Sequence, residues 1–279
     1  KLNRIEQHPN GWNVVYDADA ESEYQYLWFH NDKEPFRIPS IVTMKNGSLL
    51  AINDARPCGN DIGYGRVDQV MRIGSKDGSK WSEGRYVIQG SYSDEGVRDD
   101  GFGDPAMVVD RESGAILLID VCGHTVCWHG NWPDGEPNPV ARLYSTDNGK
   151  TWGDIFTIIE GDGVLMENDP NQSLTAGYGD PCLIADRESD RVLLLCVAGH
   201  QVFFRSTREV PNQVAIMHSE DGGKTWGKPS IITDQFYVPL DASKVGPIKS
   251  MFIGSGRIMQ SKHTKVGDYY RLYACMLAR

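Results

Sequence analysis

The 279-residue sequence contains no run of about eighteen apolar residues, so no stretch of it is long enough to cross a bilayer as a helix. It starts at Lys1 without the basic, apolar and small-residue succession of a secretory leader, so a leader was either removed or never there. No cluster of Lys and Arg offsets a formal net charge of -10, which argues against a nucleic-acid partner because phosphate binding needs concentrated cations. An anionic ligand would have to be met by individually positioned arginines. The six cysteines, Cys58, Cys122, Cys127, Cys182, Cys196 and Cys275, form no CxxC pair, so no metal site is expected. Buried thiols are the simpler reading of them, with a Cys122–Cys127 hairpin bridge as the competitor. No long segment carries apolar residues at helical spacing, which leaves a nearly all-β chain.

What the sequence has is a repeat. Gly103-Asp104-Pro105, the apolar run after it and Asp110-Arg111-Glu112-Ser113 return 76 residues later as Gly179-Asp180-Pro181 and Asp186-Arg187-Glu188-Ser189. His124 and His200 keep the same offset, which favours a structural part for each over a single catalytic one. Both copies run on into a second shared element, Ser145 to Trp152 and Ser219 to Trp226, of the form Ser-x-Asp-x-Gly-x-Thr-Trp; Ser75 to Trp81 is a shorter version. In that element the Ser and Asp side chains can bond the turn backbone, Gly supplies a left-handed residue and Trp packs beneath, so it reads as a structural clasp. Asn46-Gly47, between apolar runs, is a hairpin signal in which both residues can take positive φ. Units of several short strands, each too small to bury a core alone, point to radial or linear stacking.

The three clasps resemble the Asp boxes of the sialidase family, and Phe36-Arg37-Ile38-Pro39 resembles that family's N-terminal Phe/Tyr-Arg-Ile-Pro motif, one unit ahead of the first box. The resemblance runs from about Trp28 to the C-terminus. It implies an all-β, six-bladed β-propeller in which this chain, a single incomplete domain over 1–279, supplies about the first half. Blade one would occupy about 28–85, similar units about 100–155 and 175–230, and the start of the next about 248–279. The two middle units are alike enough to be a duplicated blade.

The resemblance also implies roles. Arg37 would be the first of three arginines clamping the carboxylate of a sialic acid, a planar donor pair matched to a planar acceptor pair. Arg56 would donate near the 4-hydroxyl of the ring. Asp61, on a Gly-rich loop, would be the acid/base, with Asp68 as competitor. Asp104 would accept hydrogen bonds from the 4-hydroxyl and acylamino side of the sugar, a place that Asp180 could fill instead. Trp128 and Trp132 would form an aromatic wall for the sugar. The other two arginines, a glutamate and the nucleophilic tyrosine of the family belong to later blades; Tyr269 and Tyr270 come too early to be that tyrosine.

The expected activity is therefore that of an exo-α-sialidase, a retaining glycoside hydrolase that needs no cofactor and acts on sialylated glycans, in a periplasmic or secreted setting. Its further partner would be the missing C-terminal half of the propeller. The rival readings are a non-catalytic sialoside-binding propeller, a purely structural one, or a hydrolase for a related keto-acid sugar.

Overall fold

Turn chemistry decides where this chain reverses, and alternation decides what its strands bury. The computed structural model describes residues 4–7, 13–17, 22–28, 35–91, 100–123, 138–161, 177–199, 201, 203–244 and 247–279. Three N-terminal strands, β1 (Arg4–Gln7), β2 (Asn13–Asp17) and β3 (Ser22–Tyr26), pair in chain order. Next come three antiparallel meanders. The first blade is β4 (Phe36–Thr43), β5 (Leu49–Ala55), β6 (Asp68–Gly74) and β7 (Arg85–Ile88). The second is β8 (Gly101–Val109), β9 (Ile116–Gly123), β10 (Val140–Ser145) and β11 (Phe156–Ile159). The third is β12 (Gly177–Ala185), β13 (Val192–Gly199), β14 (Gln213–Ser219) and β15 (Ser230–Ile231).

A helix, α1 (Thr233–Asp241), follows, then β16 (Met251–Ile253), β17 (Gly256–Arg257), β18 (Met259–Val266), β19 (Tyr269–Tyr273) and β20 (Met276–Ala278). β17 joins the third blade in parallel with β12, while β16 pairs with β20 and β18 with β19. β4 and β12 both pack beside β8, and β17 touches all three, so the innermost strands converge on one axis.

The middle blades are apolar on both faces because each is sandwiched. Along β9, Ile116 and Leu118 enter the core shared with Val42, Leu50, Ile52 and Met71 of the first blade, whereas Leu117 and Ile119 enter the core shared with Leu183, Val192 and Leu194 of the third. A period of two divided between two cores produces the unbroken apolar run that the sequence shows there.

The clasps tie these layers together. Ser145 Oγ donates to Asp147 Oδ1 (2.9 Å), and Asp147 accepts from the Thr151 N–H (2.9 Å) and Thr151 Oγ1 (2.7 Å). Ser219, Asp221 and Thr225 repeat the pattern. Gly149 is left-handed (φ 75°) and lies so close to the first blade that a Cβ on it would sit 2.8 Å from Leu50 Cδ1; Gly223 makes the equivalent approach to Leu117 of the second blade.

Two local details go beyond what the sequence reading gave. In the hairpin at Asn46-Gly47 only Gly47 is left-handed (φ 85°); Asn46 instead accepts from the Ser48 N–H through Oδ1 (2.9 Å), an Asx contact that holds the turn. The chain also contains α1, which helical periodicity did not announce because it buries only Thr233 and Tyr237 and carries Pro239 inside. Among the described cysteines Cys122, Cys182 and Cys196 are buried free thiols, pushed up to about 12 by burial, and Cys58 and Cys275 are also free. Cys127 lies outside the described residues.

Candidate functional site

Each inner strand breaks register near the axis. β4 shifts between Arg37 and Ser40, β8 between Gly103 and Ala106, and β12 between Gly179 and Cys182. In each gap a left-handed residue precedes a proline: Ile38 (φ 52°), Asp104 (58°) and Asp180 (48°). A non-glycine residue in that region stores on the order of 1–3 kcal/mol of strain, most for a β-branched one. Bulges of this kind bend a strand and re-aim its side chains. Phe-Arg-Ile-Pro and the two Gly-Asp-Pro segments are thus one backbone device used three times, a kinship that their side chains conceal.

Arg56, just past β5, is the hub of the site. Its side chain is 1% exposed; Nη2 donates to Asp54 Oδ2 at 2.6 Å and Nη1 to Asp61 Oδ1 at 2.9 Å, with Asp104 Oδ1 3.8 Å from Nη2. Asp54, fully buried, also accepts from Gln69 Nε2 (2.9 Å) and from the backbone N–H of Asp104 (3.1 Å), which joins the first blade to the second. Burial, followed by the charge of Asp104, pushes the Asp54 carboxyl up to about 8 against the pull of Arg56. Burial and the charge of Asp61 push Asp104 up to about 6, opposed by Arg56 and Arg37. Asp120 on β9 is buried with neither oxygen hydrogen-bonded, and burial holds it well above the ordinary carboxylate range.

Arg37, Arg56, Asp61, Asp104 and Asp180 line one cavity of about 400 Å³, within the range of small-ligand pockets. Arg37 is exposed, and no acidic group among the described residues lies within ion-pair distance of it. Among the described residues, the cavity therefore has one cation able to meet an external anion, an Asp61 whose side chain is 43% exposed, and two further carboxylates on neighbouring blades. No group of three or more metal-ligating side chains occurs among the described residues.

No protein-family model matches the chain. It is 33% identical to a sialidase of Micromonospora viridifaciens over 250 residues, 86% of this chain and 34% of that protein. It is 30% identical to a sialidase of Bacteroides fragilis over 200 residues, 68% of this chain and again 34% of the relative. The chain belongs to the sialidase family. It spans about a third of the length of these sialidases. Among solved structures, the NanB sialidase from Streptococcus pneumoniae superposes with a TM-score of 0.53 at 14% identity, over 75% of this chain and 46% of that one. A Hadza microbial sialidase gives 0.50 at 23% identity, over 70% and 37%. Both likenesses speak to the fold, a sialidase β-propeller of which this chain supplies part.

The residues singled out from sequence fall as follows. Arg37, Arg56, Asp61 and Asp104 are brought together on one cavity, and Asp180 joins them. Asp68 is 2% exposed and bound by Arg66 Nε (2.7 Å) and the Gly90 N–H (2.8 Å), and it does not line that cavity. Tyr270 lies on β19 beneath the cations of Arg187 and Lys265. Trp128, Trp132, His124 and His200 lie outside the described residues. Sequence reasoning passed over Asp54, although a residue two before Arg56 on a strand points to the same side. It also passed over Ser255, whose hydroxyl donates to Asp180 Oδ1 at 3.0 Å.

Proposed function

We propose that the protein is a periplasmic or secreted exo-α-sialidase, in which this chain supplies the carboxylate-binding and acid/base side of the active site. The observation that carries this is a free, exposed Arg37 guanidinium on the same cavity wall as Asp61, which is steadied by Arg56 (2.9 Å). In this reading Arg37 takes the sugar's carboxylate in paired hydrogen bonds. Asp104 accepts from the donors at the 4-hydroxyl and acylamino side, and Arg56 serves the 4-hydroxyl region while holding Asp61 in position.

Protonated Asp61 gives its proton to the glycosidic oxygen as the bond from that oxygen to the anomeric carbon breaks. A tyrosine outside this chain, losing its proton to a glutamate, forms the new bond to that carbon. Asp61, now ionised, then takes a proton from water; the hydroxyl oxygen displaces the tyrosine, which recovers its proton from the glutamate. Two successive displacements give retention, with tyrosine in place of the usual carboxylate nucleophile. A neutral nucleophile suits a carbon that bears a carboxylate, since it approaches with less charge repulsion. The partner of this chain is then the remaining part of the propeller.

The test is release of a fluorophore from a sialic acid conjugate by the full-length protein, with Arg37→Ala and Asp61→Asn alongside. Turnover lost in both variants supports these roles. Sialoside binding without turnover in the wild type would replace the enzyme with a lectin-like module, and neither binding nor turnover would direct attention to another keto-acid sugar.

A further inference from the structure

Asp104 and Asp180 occupy the same place in successive blades. Each is left-handed, each precedes a proline, each sits in the register break of an inner strand, and both half-buried side chains line the same cavity. A sequence repeat would produce this symmetry whether or not both copies were used, so the hydrogen-bond partners decide the matter. The Asp104 carboxylate receives no hydrogen bond from the described residues, and its nearest cation, Arg56 Nη2, is 3.8 Å away. Asp180 receives one, from Ser255 on the segment leading into β17, and it falls on Oδ1 alone. The carboxylate oxygens that receive no donor from the described residues thus line one cavity from adjacent blades, where a ligand's donors can reach them.

Building on the sialidase reading, we infer that Asp180, oriented by Ser255, is a second substrate-binding acceptor, so that Asp104 and Asp180 each take one of two donor groups on neighbouring carbons of the bound sugar. On a sialic acid those donors are the 4-hydroxyl and the acylamino N–H, which are adjacent on the ring. The sugar's carboxylate lies with Arg37, leaving the donor face of the ring to the two aspartates. A sugar whose donor is removed or capped at either carbon would leave one aspartate unanswered and bind weakly.

The experiment is steady-state hydrolysis by the full-length protein of three fluorogenic sialosides: the parent, its 4-deoxy form and a form with hydrogen in place of the acylamino group. Asp180→Gly is the main variant, because glycine adopts φ 48° without strain and the backbone is kept. It should raise KM for the parent roughly 10- to 100-fold with a smaller change in kcat. On one of the two analogues, whichever lacks the group that Asp180 receives, the variant should match the wild type to within about threefold. Asp104→Gly should show the converse pairing, and Ser255→Ala should show the Asp180 pattern in weaker form. Equal losses on all three substrates, as misfolding would give, or no loss on any, overturns the inference while wild-type turnover upholds the sialidase reading. A wild type that cleaves none of the three overturns both. If Asp180→Gly unfolds, Asp180→Asn and Ser255→Ala carry the same comparison.

Discussion

The aspartates of the clasps and the aspartates at the axis belong to the same blades yet are displaced in opposite directions. Asp77 and Asp147 are held down to about 2, and Asp221 lower still, by the hydroxyls and N–H groups of their own turns. Asp54 and Asp104 are pushed up to about 8 and about 6, mainly by burial and by neighbouring acids, and Asp120 and Asp180 are pushed well above the ordinary range. A clasp aspartate has its donors within four residues and is satisfied before the blade is complete. Asp54 draws one of its donors, the Asp104 N–H, from the next blade, and at Asp104 and Asp180 the described residues leave acceptor oxygens open. Burial and neighbouring acids, more than residue type, separate the site from the scaffold: Asp54 accepts from Arg56 and Gln69 and is raised all the same.

The comparison can be broken most forcefully at its hub. Arg56→Leu should leave Asp54 buried without the guanidinium that donates to it and cost about 3–5 kcal/mol above pH 8, where Asp54 is ionised, and less near pH 5, read from the urea denaturation midpoint. Arg37→Ala should leave that midpoint alone and lower kcat/KM for a sialoside roughly 10- to 100-fold, since an exposed guanidinium with no ion pair among the described residues holds little of the fold.

Stability should also depend on pH in two windows of opposite sign. The axial acids hold protons in the folded state that the unfolded chain releases near its ordinary value of 3.8, so stability should fall as pH rises from about 4 through 6 to 8. The clasp acids, held down to about 2, contribute stability above about 4 that is lost as pH drops toward 2. The melting temperature should therefore peak near pH 4 to 5. Asp120→Asn should flatten the alkaline decline, raising the Tm by a few degrees at pH 8 and leaving it unchanged at pH 4, where the native group is already protonated. The smallest effect belongs to the rim: Asp147→Ala should lower the Tm slightly while kcat/KM stays at the wild-type value, and a large loss of activity there would erase the distinction between clasp and site.

Sequence carried those parts of the molecule whose physics is local. The clasps could be read because Ser, Asp, Gly and Thr complete their bonding within one turn, and the strands because their turns and apolar runs alternate. Arg37, Arg56, Asp61 and Asp104 could be named from motifs, and the structure gathers them on one cavity. Asp54 and Asp120 were not legible as buried charges, because only the apposition of blades removes their water. The equivalence of Ile38 with Asp104 and Asp180 was hidden for a related reason: what is shared is a backbone conformation and a register break, which isoleucine and aspartate do not advertise. α1 went unread because its contacts with the third blade, not its own periodicity, sustain it.

The approach of Gly149 to Leu50 and of Gly223 to Leu117 has a direction. In both cases the clasp of the later blade covers a leucine of the earlier one, so each blade is sealed by the blade made after it. A chain made from the N-terminus would then close behind itself, each blade keeping its leucine uncovered until the next clasp is made. A propeller stitched in this sense is most vulnerable to aggregation at its growing end, where the second blade shows Leu117 and Ile119 until the third is made.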